Sequence, residues 1–485
     1  MNSAICAANC EIRTDFRIFD CVLDTPARQN ANKFAFALDL FVSLGMLLKK
    51  LSLINFKNIE QEELAPVAGI NCFVGDNGAG KTNVLDAVYY LSMCKSALAM
   101  TDAQCIRHGE EFFVLDARYA ADGGREEGVV CSFSRKGGKV LKRNGKEYDR
   151  LADHVGLVPA AIVSPADSAL ISDAADERRR YLNAFISQLD RAYLAAVMRY
   201  NAVLAERNRL LKTMSPDETM LEIYDRQLAE HGTAIHARRR QAVAELEPLV
   251  ASYYRALCSD RETVELIYKS ELNDRPFGDL LVAARQRDLV NQFTTAGIHR
   301  DDLVLRIGGY PLRKYGSQGQ QKSFLIALKL AQYAVVAARG EKPILLLDDL
   351  FDKLDAGRVE QLLRLVADDA FGQIFITDCN PTRLRRILDK AGGDYALFTV
   401  AGGRIARVAD VPGRRTDGPE SASSDNPRAA RAENVRTTED ESRNAPPEKA
   451  ERTTGAGTPE TTRETDGDAE HGRTTAGPDR KGGGA

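Results

Sequence analysis

Gly75-Asp76-Asn77-Gly78-Ala79-Gly80-Lys81-Thr82 follows the apolar run Ile70-Asn71-Cys72-Phe73-Val74 and precedes Val84, Leu85, Val88 and Leu91, which are apolar at helical spacing. The order is strand, glycine-rich loop, helix, the context in which a G-x-x-x-x-G-K-[ST] pattern cradles phosphate. Glycines let successive N–H groups turn inward, and the helix start adds partial positive charge. Gly75, Asp76, Asn77, Gly78, Ala79 and Gly80 are the expected cradle. Lys81 is expected to reach the β and γ phosphates of a nucleotide, and Thr82 to offer its hydroxyl to Mg²⁺. A glycine turn before an ordinary core helix is the plainer reading, and the flanking pattern speaks against it.

Two later stretches belong with this loop. Ile344-Leu345-Leu346-Leu347 runs into Asp348-Asp349, as a buried parallel strand does when it delivers acids to its C-terminal edge. Asp348 is then the metal partner, and Asp349 orients or deprotonates the attacking water. An apolar run leaving into polar residues says little alone; downstream of a phosphate loop it says more. Gly316-Ser317-Gln318-Gly319-Gln320-Gln321 opens an amphipathic pattern, Phe324, Leu325, Leu328, Ala331. Ser317, Gly319 and Gln320 thus sit at a second helix start fit for an anion. An N-capped core helix explains the same residues. Because the chain already has a phosphate site at Lys81, a lid lent to a partner's nucleotide is the sharper reading.

The order of these motifs resembles the ABC-type ATPase heads of transporters and SMC proteins, and most closely the RecF family. Leu51-Ser52-Leu53-Ile54-Asn55-Phe56-Lys57-Asn58 resembles the family's opening strand, and Gly80-Lys81-Thr82-Asn83 its loop ending. Ser164-Pro165, Arg178-Arg179-Arg180-Tyr181-Leu182-Asn183, Tyr200-Asn201 and Arg207-Asn208-Arg209-Leu210-Leu211-Lys212 are similar to its middle section. Gly297-Ile298-His299-Arg300-Asp301-Asp302-Leu303 is similar to its late motif, and the match spans residues 46 to 411. The resemblance implies an α/β head, an ABC-type P-loop ATPase with an inserted helical arm forming a second lobe. It implies ATP and Mg²⁺ as cofactors, an ATP-dependent homodimer, and weak, DNA-stimulated hydrolysis that serves as a switch. It implies duplex DNA and single-strand/duplex gap junctions as ligands, in the cytoplasm, with RecR and RecO as partners that help load RecA. Asp355 falls where such heads place a loop crossing the dimer interface, and it also fits a helix N-cap. Two departures stand out: Asp378 replaces the usual switch histidine of transporters, and Asp349 replaces the usual Glu, which predicts slow turnover. The alternatives are an ATP-binding subunit of a membrane transporter and a scaffold that ATP locks without hydrolysis.

Composition sets the frame. The chain has 485 residues, 44% of them hydrophobic, enough for two or three domains. No run of eighteen uninterrupted apolar residues occurs, so a membrane span is not expected. The formal charge of −3 does not advertise nucleic-acid binding, so any such surface is a local patch. Nine cysteines are scattered without C-x-x-C pairs and read as small buried hydrophobes in a reducing compartment. The Cys-x-x-Cys zinc hook of the double-strand-break repair ATPases is absent.

Along the chain, residues 1–45 read as an N-terminal extension without a secretory pattern, consistent with a true start at Met46. Residues 46–165 read as the first part of lobe I, with strands at Phe112–Tyr119 and Gly128–Ser134 and a hairpin turn at Asn144-Gly145. Residues 166–290 read as the helical arm, with Pro216 breaking two long helices, and 291–411 return to lobe I. Residues 412–485 hold no aromatic and one large aliphatic, Val435, and read as a disordered tail.

Within the arm, residues 176 to 240 carry 12 Lys or Arg against 9 Asp or Glu. Clusters at Arg178-Arg179-Arg180, at Arg207, Arg209 and Lys212, and at Arg238-Arg239-Arg240 are candidate phosphate contacts, or an ordinary solvated face. Arg300 is expected either to pair with a neighbouring carboxylate or to act near the nucleotide. Gln104 is either a contact to Mg²⁺ or a solvated turn residue.

Overall fold

The structure is a computed structural model, and it describes residues 45–411 except 122–123, 259–261, 351–353, 368–369 and 392–394. The expectations for the tail and for residues 1–44 lie outside the described residues. The first elements are β1 (Leu47–Phe56), β2 (Ile59–Leu64), β3 (Ile70–Val74), α1 (Lys81–Met93), β4 (Phe112–Ala120), β5 (Glu126–Ser134), β6 (Gly138–Arg143), β7 (Lys146–Glu147) and β8 (Ala160–Val163). Then come α2 (Ala175–Leu189), α3 (Arg191–Leu211), α4 (Glu218–Cys258), β9 (Val264–Lys269), α5 (Phe277–Asn291), β10 (Asp302–Ile307) and β11 (Tyr310–Pro311). The chain continues through α6 (Gln318–Ala337), β12 (Ile344–Leu347), α7 (Ala356–Val366), β13 (Ile374–Asp378), α8 (Pro381–Ala391), β14 (Tyr395–Ala401) and β15 (Arg404–Val411).

One sheet runs β15-β14-β3-β13-β12-β8, parallel throughout except for the edge strand β15. Every residue of β3, β8, β12 and β13 is buried, because both faces of a parallel sheet are covered. The period of two sorts these side chains between two cores. Cys72, Val163, Leu345, Leu347 and Ile376 pack with the helical segments, while Phe73, Ile162, Leu346 and Phe375 pack with α1 and the second sheet. Phe73 lies parallel to Phe375 and Phe398, with centroids 6.2 and 4.9 Å away, which binds three adjacent strands at the edge that carries the phosphate loop. The second sheet is antiparallel, ordered β2-β1-β4-β5-β6-β7, and a third is ordered β11-β10-β9.

The helical middle differs from expectation in two ways. The first long helix is two, α2 and α3, parted at Asp190, whose side chain caps α3 by accepting the Tyr193 N–H. Strand β9 then follows α4 where only helix was expected, and pairs antiparallel with β10. Pro216 does fall between α3 and α4, and Asn144 and Gly145 form the β6–β7 turn with φ of 51° and 79°. Cys72, Cys94, Cys105 and Cys131 are buried as expected; Cys258 and Cys379 are half-buried.

Candidate nucleotide site

The phosphate loop joins β3 to α1, and Gly80 caps the helix with φ 116°. Lys81 closes the loop on itself: its ammonium donates to the carbonyls of Gly75 at 2.8 Å and Asp76 at 2.9 Å. Thr82, one residue on, donates its hydroxyl toward the Asp348 carboxylate, 2.9 and 3.0 Å from its two oxygens. Asp348 leaves the end of β12, and β13 lies between β12 and β3. The sheet order therefore gathers residues 75–82 and Asp348 at one C-terminal edge although 266 positions separate Thr82 from Asp348.

Thr377, at the end of β13, ties the two acids together. Its hydroxyl donates to Asp348 Oδ1 at 2.7 Å and accepts the Asp349 N–H at 2.9 Å. Asp349 sits in the left-handed region, φ 46°, a conformation uncommon for an L-residue with a Cβ. Burial pushes the Asp348 carboxyl above its ordinary range, and the Asp349 charge pushes the same way; Thr377, Thr82 and Lys81 oppose them. Sequence reasoning did not single out Thr377. The available signal was a lone hydroxyl closing the apolar strand Ile374-Phe375-Ile376.

Thr82 and Asp348 supply hard oxygen donors within bonding distance of one another, a donor pair that fits Mg²⁺ held jointly with nucleotide phosphates and water. Among the described residues no group of three or more His, Cys, Asp or Glu could hold a metal ion by itself, so a dedicated all-protein cage is not what the residues form.

Ser317 and Gln320 form a reciprocal capping box at the start of α6: Ser317 Oγ accepts the Gln320 N–H, and Gln320 Oε1 accepts the Ser317 N–H at 2.6 Å. Gln320 Nε2 also donates to Glu262. Asp355 caps α7, as one of its two expected roles requires, by accepting the Arg358 N–H at 2.9 Å, and its side chain is exposed. A Cβ on Gly319 would lie 2.7 Å from the Arg358 guanidinium, so the start of α6 and the start of α7 are neighbours. Ser317 and Asp355 thus belong to an exposed group on two helix starts, while Lys81, Thr82 and Asp348 form a largely buried one.

Several expected contacts fall elsewhere. Gln104 is engaged in a capping box, its side-chain oxygen accepting the Thr101 N–H at 2.8 Å. Asp378 is fully buried, accepting from Arg383 Nη2 at 2.8 Å and from the Asn380 N–H at 3.0 Å. In the late motif the paired residues are not Arg300, which lies over the Phe293 ring, but Asp301 with Arg239 and Asp302 with Arg178. Burial lowers the His299 imidazole to about 4, and its two nitrogens meet the Tyr200 hydroxyl and the Thr294 carbonyl.

The basic clusters are corrected most. Arg207 is fully buried between Asp225, Asp288 and Thr294, joining α3, α4 and α5. Arg239 is buried against Asp301, Tyr193 and Asn183. Neither reaches a phosphate without unfolding the arm. Arg178, Arg179 and Arg238 are mostly covered too, which leaves Arg180, Arg209, Lys212 and Arg240 exposed.

Residues 47–393 match the family model described as RecF/RecN/SMC N terminal domain. The chain is similar to a protein of Bacteroides thetaiotaomicron named DNA replication and repair protein RecF, 47% identical over 362 residues, which cover 74% of this chain and 98% of that one. A protein of the same name from Flavobacterium johnsoniae is 44% identical over 73% of this chain and all of its own. Among solved structures, the recombination mediator protein RecF with ATP in the RecFOR pathway gives a TM-score of 0.69 at 31% identity, over 76% of this chain and 99% of that one. By motif order, by sheet topology and by identity along most of its length, the chain belongs to the RecF family of SMC-type ATPase heads.

Proposed function

We propose that the chain is an ATP-gated, DNA-binding switch of replication and recombinational gap repair. The observation that carries this reading is the junction of Thr82, Asp348 and Thr377 beside the Lys81-capped loop. Lys81 moves from the Gly75 and Asp76 carbonyls to the β and γ phosphates when these enter, and the amides of residues 76–82 line the rest. Thr82 and Asp348 would hold Mg²⁺, which would supply charge neutralisation at the phosphates. Asp349 takes the proton of the attacking water, its backbone anchored by Thr377 and its side chain one methylene shorter than Glu, which accords with slow turnover.

The exposed Ser317 and the half-buried Gly319 and Gln320 complete the site of a second copy, with Asp355 beside them. Ser317 opens a helix well removed in sequence from Lys81, and the amides of this first turn that the capping box does not take, those of Gln318 and Gly319, would meet the anion. The ATP-bound dimer clamps duplex DNA and single-strand/duplex junctions through Arg180, Arg209, Lys212 and Arg240, reading backbone rather than sequence. RecR and RecO act with it in aiding RecA loading in the cytoplasm; support for these partners is the naming of the RecFOR pathway for the related structure.

Binding of purified protein to a gapped duplex, with and without ATP, tests the proposal against Lys81→Met. ATP-dependent binding that the variant loses is expected. Equal binding with and without ATP would refute nucleotide gating.

A further inference from the structure

We infer that Asn58, in the β1–β2 turn, is a positioning residue for the phosphate loop, an inference that rests on the proposed nucleotide site. Asn58 Nδ2 donates to the Ala79 carbonyl at 3.0 Å, and Asn83 Nδ2, in the first turn of α1, donates to Asn58 Oδ1 at 2.7 Å. One side chain therefore grips the loop and the helix it opens. The Ala79 carbonyl also accepts the Gly403 N–H at 2.9 Å, from the turn between β14 and β15. Gly403 is pressed against the same residue, since a Cβ there would lie 2.3 Å from the Asn58 carbonyl oxygen.

The consequence follows from peptide geometry. In a trans peptide the C=O and the following N–H point in opposite directions. Holding the Ala79 carbonyl outward on two donors turns the Gly80 N–H toward the concave side of the loop, where a phosphate oxygen needs a donor. Gly80 itself must be glycine: φ is 116°, and a Cβ would meet Asn58 Oδ1 at 2.7 Å. The turn that carries Asn58 is fixed to α1 a second time, by the ion pair of Lys57 with Asp86 at 2.6 Å, buried on both sides. Asn58 thus acts at one remove, through the Ala79–Gly80 peptide, on a phosphate it does not touch.

The test measures the ATP dissociation constant, the KM and kcat of hydrolysis, and the melting temperature without ligand for Asn58→Ala, Asn58→Asp, Asn83→Ala and Lys81→Met. Asn58→Ala should weaken ATP binding and raise KM about tenfold, the scale of one lost hydrogen bond, with kcat within about twofold. Asn58→Asp keeps the acceptor for Asn83 but lacks the donor for Ala79, and should fail as Asn58→Ala does. Asn83→Ala should cost less alone and nothing further in the Asn58→Ala background. Wild-type affinity in Asn58→Ala or Asn58→Asp would overturn the inference. So would a ligand-free melting temperature lowered by more than about 5 °C, which marks a role in folding instead. Failure of the nucleotide site itself reads differently: the wild type would not bind ATP, or Lys81→Met would bind it equally well.

Discussion

At the residue scale the proposed site divides its labour between two adjacent acids. Asp348 is buried and held by two hydroxyls, which suits the metal-bound role proposed for it, whereas the Asp349 backbone N–H donates to Thr377. Replacing Asp349 by Asn keeps size and removes the proton acceptor. Hydrolysis should fall by about a hundredfold or more, while ATP affinity stays within about threefold. A variant that still turns ATP over at the wild-type rate would remove Asp349 from the chemistry. If DNA-linked function survived the loss of turnover, the ATP-locked scaffold would replace the switch. These acids were legible in the sequence because contiguous residues carry them. Thr377 was not, because its partner strand is brought alongside only by the sheet order β3-β13-β12.

At the element scale the arm is held by arginines that sequence counting had offered to DNA. The signal that Arg207 turns inward is its register: Tyr193, Val197, Tyr200, Arg207 and Leu211 follow at steps of three, four and seven along α3, and all are buried. Arg239 falls likewise between Ile235, His236, Ala242 and Val243 on the buried stripe of α4. A charge count is blind to which side of a helix a residue occupies, and the hydrophobic period was the better guide. Arg207→Ala strands the buried Asp288 without its cation and leaves Asp225 with Arg285 alone, and should destabilise the fold by about 3–5 kcal/mol by denaturant unfolding. Arg209→Ala with Lys212→Ala, both on the exposed side, should leave stability within about 0.5 kcal/mol while weakening duplex binding and flattening its salt dependence. Unchanged DNA affinity in that pair would remove this end of α3 from the DNA surface; a stable Arg207→Ala would contradict the structural role given to the buried ion pairs.

At the scale of the whole molecule, the proposed nucleotide chemistry is divided between a buried group and an exposed one. Lys81, Thr82 and Asp348 meet at the parallel sheet's edge, while Ser317, Gly319 and Asp355 stand at the starts of α6 and α7. The parallel sheet and its phosphate loop could be read from the chain, since apolar strands and glycine spacing are local signals. The parting of α2 from α3 and the presence of β9 were less visible, being decided by an Asp cap and by pairing with a distant strand. The central claim is that the exposed group serves a second copy. Mixing two inactive variants, Lys81→Met and Ser317→Arg, tests it most directly. If the exposed helix start acts across the dimer, the mixed dimer holds one intact site, Lys81 from one subunit and Ser317 from the other, and ATP hydrolysis returns. If both variants are folded and the mixture stays as inactive as either alone, the helix start does not complete a partner's site and the account is wrong.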